Sequence, residues 1–428
     1  MQPQASDGVA QWLAWLETLN PREIDLGLER VGLVAARLGL LDLGVPVITV
    51  AGTNGKGSVC AMLEAVIRAE GAYPGVYTSP HLYRYHERVR IGGREVDDET
   101  LLAGLREVER VRADIPLTFF EYTTLAALNC LRNAGANPVI LETGLGGRLD
   151  ATNVIDSSVA VITSIGVDHV EWLGTDRAGI AREKAGIARA GRPLIVGETD
   201  LPANWPDTVQ ASGAREIRRG RDFDFRIERG GGQWRFEYGD WGHGRLPLPT
   251  LAGEWQVGNA ATAIATLTAL RGNLPTHNAL ATGLCNVNIP GRLERIVCRD
   301  RELDVFLDVG HNPQAASALA RALAAAGEAG RTHCIIGMYQ DKDVAGVVAA
   351  LAPVVDDWFC ATLPPPRGLT GAALAQEVAA TAERADRARD CDSLNAALAN
   401  ALAQATPGDR LLITGSFATV AQLRGHFL

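Results

Sequence analysis

The sequence predicts an α/β protein of two domains, the first with a mostly parallel sheet and a small antiparallel β insertion, the second Rossmann-like. Three observations predict this fold class. Short apolar runs alternate with helical patterns from Val45 onward, as in βαβ units. A glycine-rich turn joins one of these runs to a helix, and the alternation restarts after Pro290. The 428 residues suit two cores, because single cores stop growing at about 250–300 residues.

The N-terminal domain, residues 1–290, is predicted from four apolar runs that are typical of strands covered on both faces. These runs are VPVITVAG, PVILETG, SVAVITSIG and RPLIVG. Three helical patterns lie between or after these runs: one begins at about Lys56, one covers Asp176–Arg189, and one lies in NAATAIATLTAL. Between Leu201 and Leu251, short alternating runs such as FDFRIERGGGQWRFEYGDWG predict the antiparallel insertion.

The C-terminal domain, residues 291–428, begins with two predicted strands, ERIVC and LDVFLDV, which are separated by the charged turn RDRE. Helical patterns then alternate with the apolar runs CIIGM, DWFCATL and RLLITGS. This rhythm is typical of a second α/β domain of Rossmann type.

Composition excludes several classes of function. The net charge of -9 argues against a general nucleic-acid binder, because neutralising phosphates needs a basic surface. The seven cysteines are odd in number and form no CxxC pair, which predicts free thiols in a reducing compartment. The first residues lack a signal peptide's basic region, and no apolar stretch reaches membrane-spanning length. We therefore expect a cytoplasmic protein without a membrane or nucleic-acid partner.

The sharpest motif is VITVAGTNGKGSVCAML, an apolar strand that runs through a glycine-rich turn into a helix. Such a turn lets backbone N–H groups approach phosphate oxygens at a helix N-terminus. Lys56 supplies a point charge for the β and γ phosphates, and Ser58 supplies a hydroxyl for Mg²⁺. The spacing departs from the standard P-loop, because Val50 replaces its first glycine and Gly57 separates Lys56 from Ser58.

We predict that this turn binds ATP in a P-loop ATPase domain. The alternative is an ordinary strand-to-helix connection, which the combination of lysine and serine disfavours. The predicted ATP-binding residues of the turn are Gly52, Thr53, Asn54, Gly55, Lys56, Gly57 and Ser58.

Two residues at predicted strand ends are candidate metal ligands. Glu142 ends the run PVIL, and a carboxylate at the carboxyl edge of a parallel sheet is well placed for Mg²⁺. The alternative is a helix-capping or solvated strand-end glutamate. His169 follows another strand, but an isolated histidine is usually structural and Mg²⁺ prefers oxygen ligands.

Blocks along nearly the whole chain resemble the folylpolyglutamate synthase and dihydrofolate synthase family, relatives of the Mur ligases, whose ATP loop reads GTNGKGS. The matching blocks are TSPHL (78–82), ERVRI (87–91), TFFEYTTLAAL (118–128), ETGLGGRLDATN (142–153), SIGVDHVEWLG (164–174), EKAGI (183–187), PGRLE (290–294), DVGHNP (308–313), GMYQDKD (337–343) and GSF (415–417). Two departures are Val309, where the family has a small residue, and Trp255, where the family has histidine.

The resemblance implies roles for further metal-site residues. It makes Ser79 a ligand of the first of two Mg²⁺ ions, and it makes His169 a metal ligand in addition to Ser58 and Glu142. It also makes Lys184 the site of a carbamate formed with CO₂, whereas helical spacing alone is equally consistent with a solvated lysine in a salt bridge.

The resemblance also implies nucleotide and acceptor contacts. Nucleotide contacts would be Asn259 at the adenine, Arg292 at the phosphates, Asp308 near the ribose or the cleft between domains, and His311 near the γ-phosphate. The pterin contacts would be Phe120, Asp150 and Ala151, together with the segment GLERV at 27–31. For Phe120, packing in the core is an equal alternative.

The resemblance therefore implies a monomeric ATP- and Mg²⁺-dependent ligase with two metal ions and small-molecule substrates. It would join L-glutamate to dihydropteroate and to the γ-carboxylate of reduced folates through an acyl phosphate. Two alternatives are a monofunctional folylpolyglutamate synthase and another Mur-type amide ligase. A regulatory or motor P-loop NTPase has no need of the downstream blocks, and a non-catalytic nucleotide-binding module has no need of the metal ligands.

Overall fold

The computed structural model describes residues 3–4, 6–20, 22, 24–228, 230, 232–327, 330–382 and 387–428. The chain forms two compact units. The first contains Met1–Gly166, Thr175–Thr250 and Val257–Val287, and the second contains Val167–Gly174, Leu251–Gln256 and Asn288–Leu428. Two short segments that precede residue 288 thus belong to the second unit.

The first unit is built on an eight-stranded sheet of order β4-β3-β2-β5-β1-β6-β7-β8. Its strands are β1 Val47–Ala51, β2 Gly75–Tyr77, β3 Val89–Ile91, β4 Arg94–Glu95, β5 Val139–Glu142, β6 Val159–Ile162, β7 Pro193–Val196 and β8 Arg215–Arg218. The six strands in the spatial order β2-β5-β1-β6-β7-β8 are all parallel to their neighbours. Strands β3 and β4 add an antiparallel edge beside β2. Every residue of β1, β5 and β6 is buried, as expected for strands covered on both faces. The predicted mostly parallel sheet is confirmed.

Helices flank this sheet because their apolar stripes must be buried. They are α1 Val9–Leu16, α2 Glu29–Arg37, α3 Lys56–Ala69, α4 Asp98–Arg112, α5 Phe119–Asn133, α7 Arg177–Ala185, α8 Trp205–Ser212, α9 Glu254–Arg271 and α10 His277–Cys285; the short α6 Val170–Leu173 belongs to the second unit. Helix α5 starts with a capping box, in which Thr118 and Glu121 bond each other's backbone N–H groups. This cap sets where Phe120 lies in the first turn.

The predicted insertion is a three-stranded antiparallel sheet of order β11-β10-β9. Its strands are β9 Phe223–Ile227, β10 Gln233–Tyr238 and β11 Trp241–Pro247. Trp234 and Phe236 are buried and alternate with exposed residues, because successive side chains of a strand point to opposite faces. Two positions of the predicted run, residues 229 and 231, lie outside the described residues.

The second unit contains a six-stranded sheet of order β12-β13-β17-β14-β15-β16, parallel except for β12. Its strands are β12 Glu294–Cys298, β13 Leu303–Leu307, β14 Thr332–Ile336, β15 Asp357–Ala361, β16 Ala388–Cys391 and β17 Arg410–Thr414. Its helices α11 Pro313–Ala325, α12 Val344–Leu351, α13 Gly371–Thr381, α14 Leu394–Gln404 and α15 Phe417–Arg424 complete a Rossmann-like α/β unit, as predicted.

Two further expectations concern the whole chain. All seven cysteines carry free thiols, and five of them are buried, in agreement with the sequence prediction. Within the described residues, none of the helices combines the length and the apolar character that crossing a membrane requires.

Candidate functional site

The predicted phosphate loop follows β1 at the carboxyl edge of the first unit's sheet, and α3 begins directly after it at Lys56. Glycine is needed at two of its positions. A Cβ atom on Gly52 would lie 1.9 Å from Oγ1 of Thr163. Gly55 has a φ of 87°, and a Cβ atom there would lie 2.8 Å from Oδ1 of Asn259. The loop is therefore enclosed on two sides, and Asn259 lies directly against it.

The residues that follow β6 hold the loop in shape. The Thr53 N–H donates to the Ser164 carbonyl at 3.0 Å, and the Asn54 N–H donates to Oγ of Ser164 at 2.9 Å. The Thr163 hydroxyl donates to the Asn54 carbonyl at 2.6 Å. Sequence reasoning missed Thr163 and Ser164 as loop supports. Only the adjacency of β1 and β6 in the sheet brings them to the loop.

Lys56 lies across the loop. Its Nζ atom donates to the Gly52 carbonyl at 3.0 Å and approaches the Thr53 carbonyl at 3.4 Å. Ser58 is buried in the first turn of α3, where backbone N–H groups lack partners within the helix. The ammonium, the hydroxyl and the helix N-terminus together form a site suited to phosphate.

The predicted first metal site lies beside this loop. Glu142 ends β5 in register with Val50 of β1 and is 5% exposed. Its Oε2 atom accepts the Ser79 N–H at 3.1 Å, because Ser79 follows β2, the neighbour of β5 on its other side. The structure thus brings Glu142 and Ser79 together, next to the loop that carries Ser58.

The donor chemistry of this place fits a hard divalent cation. Among the described residues there is no cluster of three or more His, Cys, Asp and Glu side chains with metal-site geometry. A site of one carboxylate and two serine hydroxyls leaves coordination positions for phosphate oxygens and water, which is how Mg²⁺ is usually bound at nucleotides. Ser58, Ser79 and Glu142 match this pattern.

A buried ion pair supports the Ser79 side of the site. Arg90 of β3 contacts the buried Glu64 of α3 at 2.9 Å and donates to Oγ1 of Thr78 at 3.3 Å. Burial, followed by the Glu142 carboxylate, raises the pKa of the Cys60 thiol well above its usual range. Cys60 is therefore a neutral packing residue beside the predicted metal site, not a nucleophile.

Lys184 lies in α7 and is only 3% exposed, which excludes the solvated lysine that the sequence left open. The end of this helix packs on the glycine-rich turn after β5: a Cβ atom on Gly147 would lie 2.9 Å from the Lys184 carbonyl oxygen. An ion pair between Arg148 and Glu183, at 2.8 Å, joins the same two segments.

The predicted pterin residues also converge in the first unit. The Phe120 ring lies 6.1 Å from the buried Tyr77 ring, and Gly144 has no room for a Cβ atom, which would lie 2.7 Å from Phe120 Cζ. Arg30, in the segment 27–31, contacts Glu121 at 3.1 Å and so ties this segment to the start of α5. Ala151 is buried in the adjoining turn.

Asp150 has a structural task that its predicted pterin role does not include. Its Oδ2 accepts the Gly144 and Leu145 N–H groups, both at 2.9 Å, and its Oδ1 accepts the N–H and hydroxyl of Thr152 at 3.0 and 2.7 Å. Burial raises the pKa of Asp150, against the effect of these four hydrogen bonds. The carboxylate therefore organises the turn that lies against Phe120, and its contact with a pterin stays a prediction.

Four predicted site residues belong to the second unit: His169, Arg292, Asp308 and His311. Asp308 accepts the Leu293 N–H at 2.8 Å and the Gly310 N–H at 2.7 Å, so it ties together the chain on either side of β12–β13. Burial raises the pKa of Asp308, and the nearby Arg292 opposes this rise.

Arg292 and His311 meet at one aromatic ring. The Arg292 guanidinium lies over the Phe417 ring at 5.2 Å, and the His311 ring lies 6.4 Å from it. His169 has a φ of 52°, a left-handed conformation that is uncommon for residues other than glycine. Sequence reasoning missed Asp168, which faces His311 at 3.4 Å, and Lys342, which binds Asp168, because the two are 174 positions apart in the chain.

Two family models match consecutive parts of the chain. Residues 50–267 match the family model of the Mur ligase middle domain, and residues 291–417 match that of the Mur ligase glutamate ligase domain. The dihydrofolate synthase/folylpolyglutamate synthase of Escherichia coli K12 is 45% identical over 421 residues, covering 98% of this chain and 96% of the relative.

Two solved structures are similar over the full length. Escherichia coli FolC in complex with DHPP and ADP superposes with a TM-score of 0.92 at 45% identity, covering 99% of both chains. A bifunctional folylpolyglutamate synthase/dihydrofolate synthase with Mn, AMPPNP and L-glutamate bound superposes with a TM-score of 0.91 at 41% identity, covering 100% of both chains.

We expect Gly52→Ala to weaken ADP binding by about tenfold or more, a loss of about 1.4 kcal/mol, because the added methyl group collides with Thr163. Isothermal titration with ADP measures the loss. Gly425→Ala is the matched control, since a Cβ atom there has no neighbour within 4 Å. Unchanged binding by the Gly52 variant would refute the close contact between the loop and the end of β6.

We expect Asp150→Ala to lower the free energy of unfolding by about 2–4 kcal/mol, since two buried and two part-buried donors lose their acceptor. Denaturant titration measures this change. Asp150→Asn keeps one acceptor oxygen and should lose less. An alanine variant of normal stability that fails only with dihydropteroate would instead make Asp150 a ligand residue.

Proposed function

Because the chain belongs to the dihydrofolate synthase/folylpolyglutamate synthase family of Mur ligases, we propose that it joins L-glutamate to dihydropteroate and to reduced folates. ATP and a divalent metal ion would drive the reaction, in line with the nucleotides and Mn bound by similar structures. The observation that carries this proposal is the convergence of Lys56, Ser79 and Glu142 at one edge of the parallel sheet.

The reaction needs ATP because a carboxylate does not condense with an amine at neutral pH. We infer that an acceptor carboxylate oxygen attacks the γ-phosphorus of ATP, so that an acyl phosphate forms and ADP leaves. The glutamate amine then attacks the acyl carbon, phosphate leaves, and the amine gives up a proton.

The loop and the residues around it have separate tasks in the first step. Lys56 moves from its backbone acceptors to the phosphates and neutralises charge on the transferred group. The N-terminus of α3 orients the phosphate oxygens with its N–H groups. Ser58, Ser79 and Glu142 would hold a divalent cation, which supplies further charge neutralisation at the phosphates when bound. Hydrogen bonds from Thr163 and Ser164 hold the loop in shape.

The remaining site residues stay predictions of the same proposal. Asn259 would contact the adenine, Arg292 the phosphates, Asp308 the ribose, and His311 the γ-phosphate. His169 would bind a metal ion. The turn that Asp150 organises, with Phe120 and Ala151, would accept the pterin ring. A monomeric state and a cytoplasmic location also stay predictions.

ADP release tests the proposed function. Wild-type protein should release ADP when L-glutamate is combined with dihydropteroate, and separately with a reduced folate, but not when either partner is omitted. Activity with the reduced folate alone would indicate a monofunctional folylpolyglutamate synthase. ADP release that needs neither acceptor nor glutamate would refute the ligase assignment.

In this assay, Lys56→Ala should lower turnover by about 100-fold or more, because charge on the transferred phosphoryl group loses its counter-charge. Its unfolding temperature should stay close to that of wild type, since the ammonium donates to two carbonyls of its own loop and joins no distant segments. Full turnover by the folded variant would rule out the phosphate-loop assignment.

We also propose that Lys184 is carbamylated. An ammonium close to a divalent cation is repelled by it, whereas the carbamate formed with CO₂ is an anionic oxygen ligand. Lys184 is 3% exposed, so its charge must be paired or modified, and a carbamate is the modification that the family resemblance implies.

Carbon-13 NMR in labelled bicarbonate should show a carbamate signal that Lys184→Ala lacks. The alanine variant should lose activity and regain part of it when short carboxylic acids are added. An active alanine variant without added acid, or a wild-type spectrum without the carbamate signal, would exclude the modification.

A further inference from the structure

Lysine is very rare in this chain. Of 41 lysine and arginine residues, only Lys56, Lys184 and Lys342 are lysines. At the first two positions a primary amine has a chemical reason: a point charge for phosphate at Lys56, and carbamate chemistry at Lys184. Since arginine carries the positive charge everywhere else, Lys342 needs a comparable reason.

Lys342 follows β14 and forms a buried ion pair. Its Nζ atom lies 2.7 Å from Oδ1 of Asp168, and the two side chains are 6% and 8% exposed. A second carboxylate, Asp341, lies 3.6 Å from the same nitrogen. Asp168 belongs to the segment Val167–Gly174, which is part of the same compact unit as Lys342.

The two oxygens of Asp168 have different partners. Oδ1 accepts from Lys342 and from the His169 N–H, at 2.7 and 2.8 Å. Oδ2 accepts from Nδ2 of Asn312 at 3.1 Å and faces Nε2 of His311 at 3.4 Å. The other ring nitrogen of His311 lies 2.9 Å from the Val309 carbonyl, so both edges of this ring face acceptors.

Because the two oxygens of the Asp168 carboxylate have different partners, a lysine suits position 342 better than an arginine. An ammonium is a compact charge that satisfies one carboxylate oxygen, whereas a guanidinium presents a fork that matches both oxygens at once. Elsewhere in this unit arginine does bind both oxygens of a carboxylate, as Arg331 does with Asp357. An arginine at position 342 would compete with His311 and Asn312 for Oδ2.

We propose that Lys342 and Asp168 are positioning residues for His311. Lys342 binds one oxygen of Asp168 and leaves the other to hold the imidazole in a single orientation. Asn312 reinforces the arrangement, because its Oδ1 caps α11 at the Ala315 N–H while its Nδ2 holds Asp168. The inference rests on the proposed function for its consequence, since His311 is the predicted contact of the γ-phosphate.

Lys342→Arg keeps the charge and tests the geometry. We expect kcat to fall by about 100-fold, the typical effect of misplacing a reacting group by about 1 Å, while KM for ATP changes by less than about threefold. Because Lys342 acts through His311, the double variant Lys342→Arg/His311→Ala should be no slower than His311→Ala alone. If the fold-losses in kcat of the two single variants multiply in the double variant, Lys342 has a role independent of His311 and the proposal is overturned.

Arg331→Lys is the matched control, since it exchanges the cation of an ion pair at the other end of β14, and it should keep normal kcat. Imidazole ¹H–¹⁵N spectra, assigned with His311→Ala, test the contact independently of activity. Wild-type protein should show a hydrogen-bonded Nε2–H signal for His311 that Lys342→Arg lacks. Absence of this signal in wild type overturns the positioning role, whereas a wild type that shows it but releases no ADP refutes only the proposed function.

Discussion

The site of the first unit depends on the close packing of the phosphate loop against the end of β6. Because Gly52 has no side chain, Thr163 approaches the loop and its hydroxyl binds the Asn54 carbonyl. Ser164 uses its carbonyl and its hydroxyl to bind the next two N–H groups of the loop. Hydrogen bonds from outside the loop restrict its conformations, so less ordering remains to be done when a ligand binds.

The same strand order assembles the rest of that site. β1 lies between β5 and β6, and its register with β5 places Glu142 beside Val50, near the end of the strand that precedes the loop. β2 is the next neighbour, so Ser79 reaches the same carboxylate. Parallel strands place their carboxyl ends at one edge, which is why Ser79 and Glu142, 63 positions apart, lie close together.

Three ion pairs that contain a buried carboxylate lie beside predicted site residues. Glu64 with Arg90 supports the segment that carries Ser79, and Glu121 with Arg30 ties the segment 27–31 to α5. Asp168 with Lys342 supports His311 in the second unit. Buried ion pairs contribute little net stability, because desolvation offsets their attraction, whereas removing one partner is costly. We interpret these pairs as fixing the geometry beside the predicted site residues.

The sequence by itself determined the fold class, the loop and the identity of the principal candidates. Alternating apolar runs predicted the strands, and the loop motif needs only local chain order, because a strand, a turn and a helix follow one another directly. Lys56, Ser58 and Glu142 were found in this way, since each lies at the end of its element.

Only the tertiary structure decided which residues hold these candidates in place. Thr163 and Ser164 act on the loop across a strand pairing, and Asp168 meets Lys342 across 174 positions. It also decided that Lys184 is buried and that the Asp150 carboxylate serves its own turn. Strand order and long-range pairing arise from the joint packing of distant segments, and the periodicity of a single segment carries no information about its partners.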